Sequence, residues 1–174
     1  PFLEDLARHA EGAGEPRVAA RYLLRAASLE KASHHPSAER ELLESALALV
    51  EGRDLATRLS IDFELGDALA RAGDVDGAMI RYQDALQLAW RMRHRGKGAA
   101  ALERIGRIES QRGEFNRAHE RFVHALRLYE AVKDRGGVGR ICLNLGHLLW
   151  LKGDMARALQ SFRKGEELYR SLRD

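Results

Sequence analysis

Residues 65–88, LGDALARAGDVDGAMIRYQDALQL, recur in pattern forty residues later at 105–128 and again at 145–168. Every copy has Leu or Ile before a glycine, then a glycine before an acidic residue, and then small, aromatic and leucine positions. In the first copy these positions are Leu65, Gly66, Gly73, Asp74, Ala78, Tyr82, Ala85 and Leu88. Agreement at so many offsets indicates an array of one repeated structure.

Each repeat is predicted to be a helical hairpin. Apolar residues recur at spacings of three and four on both sides of the central glycine, which is typical of amphipathic helices. The glycine can end the first helix in a left-handed conformation, and the following acidic residue can cap the second. We expect Gly66 and Ala78 where the two helices cross. We expect Leu65, Tyr82 and Leu88 between one hairpin and the next.

The pattern continues more faintly towards the N-terminus. One overlay places a turn at Gly14-Glu15 and another places a turn at His34-His35-Pro36, and both use residues 16–33 as a helix. This helix therefore serves two hairpins, and the chain is expected to contain nine helices in one continuous domain. The expected boundaries are 1–54 for the divergent repeats and 55–94, 95–134 and 135–174 for the clear ones.

With these positions the chain resembles the tetratricopeptide repeat family, whose first helix carries Leu-Gly and whose second carries Ala, an aromatic residue and Ala. The resemblance is strongest over 55–174. The longer period is similar to the forty-residue subtype of peptide-binding scaffolds and of regulatory arms in bacterial signalling ATPases and kinases. Residues 6–26 are similar to the junction behind an ATPase module. The resemblance implies an all-α, right-handed superhelical solenoid of antiparallel helix pairs.

Composition limits where such a chain would work. No apolar run approaches the roughly 20 residues that cross a bilayer, so no membrane partner is expected. The lone Cys142 cannot form an internal disulfide, which favours a reducing compartment and makes the cytoplasm the expected location. The chain begins at Pro1 without a methionine, which suggests a piece of a longer protein.

The net charge of +3 and the pI near 9.3 invite a nucleic-acid interpretation, with the basic cluster at 91–97 as its best support. Against it, 29 basic residues are mixed with 26 acidic ones along the chain. The cluster is also expected to end a helix, where cations meet the helix dipole favourably. Nucleic-acid binding is therefore not predicted.

Catalytic, metal and cofactor sites are not predicted either. His34 and His35 are adjacent in a turn, and His119 and His124 are five apart, so they do not share a helix face. The glycine-rich stretch at 135–140 lacks the ending of a phosphate loop and is interpreted as a turn between repeats. We expect no enzymatic activity and no cofactor.

The resemblance implies that the first helices line a concave groove. The candidate groove residues are Phe63, Asp67, Glu103, Arg107, Arg140, Leu143, Asn144, His147 and Trp150. Phe63 and Trp150 are predicted to be exposed apolar anchors, with packing between helices as the alternative. Trp90, on a second helix, is expected to pack against the following repeat.

Two function hypotheses follow. The first is an interaction module that binds a protein or peptide in the groove. The alternative is a ligand- or partner-sensing regulatory arm of a multidomain bacterial signalling ATPase, transcription regulator or Ser/Thr kinase, whose partners would include its own attached domains. A further hypothesis is self-association through the terminal helix, near Phe162 and Leu168, which carries no evident polar cap.

Overall fold

The computed structural model describes residues 2–50 and 54–172, and within these ranges it contains nine helices and no strand. This confirms the predicted all-α fold. The helices are α1 (Phe2–Gly12), α2 (Pro16–Ala32), α3 (Pro36–Leu49), α4 (Leu55–Arg71), α5 (Val75–Arg91), α6 (Arg95–Gln111), α7 (Phe115–Ala131), α8 (Arg135–Leu151) and α9 (Met155–Arg170). In the described ranges, none of these helices combines the length and the apolar character needed to cross a bilayer.

The helices form two compact units, Pro1–Leu88 and Ala89–Asp174, called unit 1 and unit 2. In unit 1, α2 packs against α1, α3 and α4, and α3 packs against α4. In unit 2, α7 packs against α6 and α8, α8 packs against α9, and α6 also contacts α8. The first helices of successive hairpins therefore touch within each unit, as α2 and α4 do in unit 1 and α6 and α8 do in unit 2.

Glycine ends the first helix of each clear hairpin. Gly73, Gly113 and Gly153 have φ angles of 84°, 77° and 81°, a left-handed conformation that side chains with a Cβ adopt at a cost. Asp74 then caps the next helix by accepting a hydrogen bond at 2.8 Å from the Gly77 amide. The predicted turn chemistry is thus confirmed for the glycine at all three turns and for the acidic cap at this one.

The acidic residue does not cap at every turn. Asp154 accepts a hydrogen bond at 3.1 Å from the Arg157 amide, but the side chain of Glu114 makes no such bond. Glu114 instead accepts a hydrogen bond at 2.7 Å from the Arg117 guanidinium. The longer side chain of Glu114 therefore pairs with Arg117, one helical turn further along the chain.

The turns between repeats use other residues, and two sequence interpretations were wrong there. His34, Arg93 and Lys133 have positive φ angles of 60°, 53° and 59°. Because α8 begins at Arg135, the glycine-rich stretch 135–140 is helical and is not a turn. The basic cluster at 91–97 is divided between the end of α5 and the first turn of α6, so it does not simply end a helix.

The repeated glycine on each first helix makes room for the aromatic ring of the same hairpin. A Cβ atom added at Gly66, Gly106 or Gly146 would lie 2.6, 2.8 or 2.7 Å from the ring of Tyr82, Phe122 or Phe162, respectively. Tyr82 therefore fills the interior of its own hairpin, and its expected place between hairpins was wrong. A residue larger than glycine at Gly66, Gly106 or Gly146 would overlap the aromatic ring.

Candidate functional site

The first helices of unit 2, α6 and α8, form a face on which three predicted groove residues are brought together. Glu103 is only 6% exposed and accepts a hydrogen bond at 2.9 Å from the Tyr129 hydroxyl of α7. The Arg140 guanidinium and the Asn144 amide each donate to the same carboxylate at 3.4 Å. These four residues, called the Glu103 network, tie α6, α7 and α8 together.

Tyr129 was missed by the sequence analysis because its position is not aromatic in every repeat; its equivalents are Ala89 and Tyr169. Its hydroxyl also accepts a hydrogen bond at 3.2 Å from Arg140, whose guanidinium carbon lies 5.5 Å from the centre of the tyrosine ring. Tyr129 therefore holds both charged partners of the network in place.

The network stays charged and paired. Burial, and then the negative charge of Glu103, raises the pKa of Tyr129 far above its ordinary value, so the hydroxyl remains a donor. Burial alone would lower the pKa of Arg140, but Glu103 and the Tyr129 hydroxyl more than offset it and the pKa rises. Glu103 and Arg140 therefore neutralise each other within the face.

Replacing Tyr129 with phenylalanine should lower the free energy of unfolding by about 1 kcal/mol, because Glu103 and Arg140 each lose their hydrogen bond to the hydroxyl while the bond between them remains. Urea unfolding followed by circular dichroism measures the change. The matched control is Tyr169→Phe, since the Tyr169 hydroxyl makes no hydrogen bond within the described residues. Equal effects of the two substitutions would mean that the Tyr129 hydroxyl contributes nothing.

The other predicted residues of α8 are exposed. Leu143 and Trp150 are 37% and 50% exposed, and His147 between them is exposed as well. Their spacings of four and three place them on one side of the helix. The rings of His147 and Trp150 lie 5.8 Å apart between centroids. Leu143, His147 and Trp150 are called the α8 strip.

Arg107, on α6, completes the predicted set in unit 2. Its side chain is exposed, and it has no ion-pair partner within residues 2–50 and 54–172. The α6–α8 face thus combines an apolar strip, a neutral polar network and one unpaired cation. Such a surface can bind a polypeptide with apolar side chains.

In unit 1 the structure corrects the sequence prediction. Phe63 is 7% exposed, so it is a core residue and the expected exposed anchor was wrong. The half-buried Asp67 accepts a hydrogen bond at 2.7 Å from the Tyr82 hydroxyl, which fixes the ring of its own hairpin. Neither residue offers its side chain freely to a partner.

Trp90 lies where it was expected, against the following repeat. A Cβ atom added at Gly98, on α6, would lie 2.8 Å from its ring, and the ring stacks on His124 at a centroid distance of 5.9 Å. The stacking also gives His124 a packing role.

The first-helix face of unit 1 is a cleft of about 510 Å³ between α2 and α4. It is lined by Arg21, Leu24, Arg25, Ser28, Lys31, Ser60 and Glu64. The sequence analysis carried groove positions over only from residue 60 onwards and therefore missed the α2 residues. The turn at His34 was the available signal, because it makes α2 the first helix of a hairpin, just as the turn at Gly73 does for α4.

No group of three His, Cys, Asp or Glu side chains in the described residues could hold a metal ion. Cys142 is buried and free, and burial raises the pKa of its thiol, which disfavours the reactive thiolate.

Comparisons with known proteins agree with this architecture. Residues 99–171 match the family model of the tetratricopeptide repeat. The search of curated proteins found no match.

Among solved structures, BtubC from P. vanneervenii is similar with a TM-score of 0.80 at 20% identity, over 97% of this chain and 70% of that one. MamA is similar with a TM-score of 0.66 at 18% identity, over 95% of each chain. The Rap conjugation gene regulator of plasmid pLS20, solved with the Phr* peptide, is similar with a TM-score of 0.77 at 17% identity, over 91% of this chain and 44% of the regulator. At these identities the likeness to solved structures shows the fold alone, while the family model confirms the expected resemblance to the tetratricopeptide repeat family.

Proposed function

We propose that this tetratricopeptide-repeat chain is an interaction module that binds a protein or peptide segment on the α6–α8 face of unit 2. The observation that carries the proposal is the half-exposed indole of Trp150, which lies on a first helix beside His147 and in line with Leu143. Tryptophan is enriched among the few residues that dominate binding energy at interfaces. These apolar surfaces are exposed to water in the free chain, and burying them under a partner is favourable in free energy.

The Glu103 network supports the same use of this face. Because Glu103 is paired with Arg140 and bonded to Tyr129 and Asn144, the polar floor beside the α8 strip is already ordered. An ordered floor loses little conformational entropy when a partner binds. The pairing also removes the net charge that would repel an approaching backbone carbonyl or carboxylate.

The class of partner has support from the fold comparison. One neighbour was solved with a bound peptide, and it has the same fold at low identity. An extended peptide is a ligand of suitable shape for a row of exposed side chains at helical spacing. We therefore favour a polypeptide over a small molecule.

Replacing Trp150 with alanine should weaken binding by about 30-fold, the loss of roughly 2 kcal/mol that defines an interface hot spot. A random-peptide display library selected on the wild-type chain supplies the probes. Fluorescence anisotropy of the labelled selected peptides then measures the affinities. The free energy of unfolding of the variant should stay within about 0.5 kcal/mol of the wild type, since Trp150 is half exposed.

Leu159→Ala is the matched control for this experiment. Leu159 is 51% exposed on α9, outside the α6–α8 face, so its loss should leave the affinities unchanged. Equal affinities for the wild type and the Trp150 variant would reject the proposed site. A large fall in stability of the Trp150 variant would identify the side chain as structural.

Three finer statements stay proposals. The regulatory-arm alternative would use the same face with a partner in the attached domains, and its support is a neighbour that is a gene regulator. A reducing, cytoplasmic location has support from the buried free thiol of Cys142. Self-association through α9 would involve Met155 and Leu159, which are 58% and 51% exposed, more than the half-buried Phe162 and Leu168 named from sequence.

A further inference from the structure

We infer that the α2–α4 cleft of unit 1 is a second binding site, specific for an acidic segment of a partner polypeptide. The inference rests on the proposed function, because it assumes that first-helix faces of this chain bind polypeptides. The cleft has a volume of about 510 Å³ between two neighbouring first helices. That space accommodates a few peptide side chains.

Two arginines without counter-ions mark the cleft. Arg21 and Arg25 are exposed and lie one helical turn apart on α2. Within the described residues of unit 1, every other arginine is paired with a carboxylate. The pairs are Arg8–Asp5, Arg17–Asp54, Arg40–Glu44, Arg58–Asp62, Arg71–Glu39 and Arg81–Asp62.

The arrangement of these two arginines is unfavourable in the free chain. Like charges four residues apart on a helix repel each other and destabilise it. The other described arginines of unit 1 lie beside carboxylates, so Arg21 and Arg25 are the exceptions in this unit. A bound anion would remove the repulsion, and the planar guanidinium can bind a carboxylate through two parallel hydrogen bonds.

The rest of the lining suits a peptide. Lys31 is paired with Glu64 at 2.8 Å, so this pair adds no net charge and the cleft keeps the two positive charges of the arginines. Leu24 supplies an apolar, half-buried floor, and the Ser28 hydroxyl can bond to a peptide backbone. The Ser60 hydroxyl donates to the Ala56 carbonyl at 3.1 Å and can still accept a hydrogen bond from a peptide N–H. Acidic side chains would meet the arginines while the peptide backbone lies along the serines.

A nucleic acid fits this cleft less well than an acidic peptide. Proteins that bind single strands combine a basic groove with aromatic side chains on which bases stack. Within the described residues, the lining contains no aromatic side chain on which a base could stack. An acidic peptide needs no such side chain.

The test uses a fluorescent peptide of glycine, serine and glutamate, and a second peptide with glutamine in place of glutamate. Anisotropy at low salt should show that the glutamate peptide binds the wild-type chain at least about tenfold more tightly than the glutamine peptide. The double variant Arg21→Gln, Arg25→Gln should lose this preference. Its urea midpoint should be equal to or slightly above that of the wild type, because the repulsion on α2 is removed.

The matched control is the double variant Arg127→Gln, Arg163→Gln, which changes the net charge equally at exposed arginines of unit 2. It should keep the preference. An equal loss in both double variants would attribute binding to net charge and overturn the inference. No binding of the glutamate peptide, or tighter binding of an oligothymidine through Arg21 and Arg25, would overturn it too.

Failure of this inference can be told apart from failure of the proposed function. Trp150→Ala should leave the affinity for the glutamate peptide unchanged, since Trp150 is in unit 2 and the cleft is in unit 1. Two results together would reject the cleft and leave the proposed function standing. The first is that library-selected peptides depend on Trp150 but bind the Arg21, Arg25 variant normally. The second is that the wild-type chain shows no preference for the glutamate peptide.

Discussion

Replacing Gly106 with leucine should lower the free energy of unfolding by about 3 kcal/mol, at the upper end of what overpacking a core costs. An added Cβ atom would lie 2.8 Å from the Phe122 ring and 3.1 Å from the Arg121 Cβ. Phe122 is 1% exposed, so the ring has nowhere to move. The better helix propensity of leucine offsets less than 1 kcal/mol of this loss. Urea unfolding followed by circular dichroism measures the change.

Gly12→Leu is the matched control, because a Cβ atom at Gly12 meets nothing within 4 Å. It should leave stability nearly unchanged. The double variant Gly106→Leu, Phe122→Ala should lose less stability than the sum of the two single variants, since the leucine occupies space that the ring vacates. A Gly106 variant as stable as the wild type would contradict the assignment of the repeat positions.

Asp62 is the second place where a large effect is expected. Its side chain is fully buried on α4, and one of its oxygens has no hydrogen-bond partner within the described residues. The other oxygen accepts a hydrogen bond at 3.1 Å from Arg81, which also pairs with Asp84. The Arg58 Nε lies 3.8 Å from the oxygen that has no hydrogen bond. Burial raises the pKa of Asp62 to about 6, against the opposing charges of Arg81 and Arg58.

The free energy of unfolding should therefore fall by about 2 kcal/mol, through this one group, as the pH rises from 4 to 7. The folded chain holds the Asp62 proton more tightly than the unfolded chain does. Its stabilising effect is complete below the unfolded pKa and is lost as the pH passes about 6. Glu109, whose pKa burial also raises, acts in the same direction. Urea titrations across this pH range measure the slope.

Asp62→Asn keeps the shape of the side chain and removes the charge, so the variant should show a smaller fall over the same pH range. Arg81 keeps Asp84 as a partner, whereas Arg58 loses its carboxylate but has a side chain that is partly exposed to solvent. Glu44→Gln, at an exposed carboxylate on α3, should leave the slope unchanged. Identical slopes for the wild type and the Asp62 variant would show that the pKa of Asp62 is the same in the folded and the unfolded chain, which contradicts the prediction.

The helices could be predicted from sequence because their signals are local. A glycine before an acidic residue, repeated every forty residues, ends one helix and begins another through backbone geometry that depends on few neighbours. The same locality explains why Gly66 and Tyr82 repeat together, even though their contact within one hairpin was assigned to the wrong place.

The site could be predicted only in part, because exposure depends on what lies across from a residue. Phe63 and Trp150 are both aromatic residues on a first helix, yet Phe63 is 7% exposed and Trp150 is 50% exposed. The Glu103 network joins residues up to 41 positions apart, and no spacing rule finds Tyr129. The unpaired state of Arg21 and Arg25 is visible only once the partners of the other arginines are known.

The most direct test of the proposed function is the fluorescence of Trp150 itself. The chain has two tryptophans, so in the Trp90→Phe variant Trp150 is the single emitter. Saturation with a library-selected peptide should shift its emission to shorter wavelength, because the half-exposed indole is buried against the partner. Saturation of the labelled peptide, confirmed by anisotropy, with an unchanged Trp150 emission spectrum would contradict binding on the α6–α8 face.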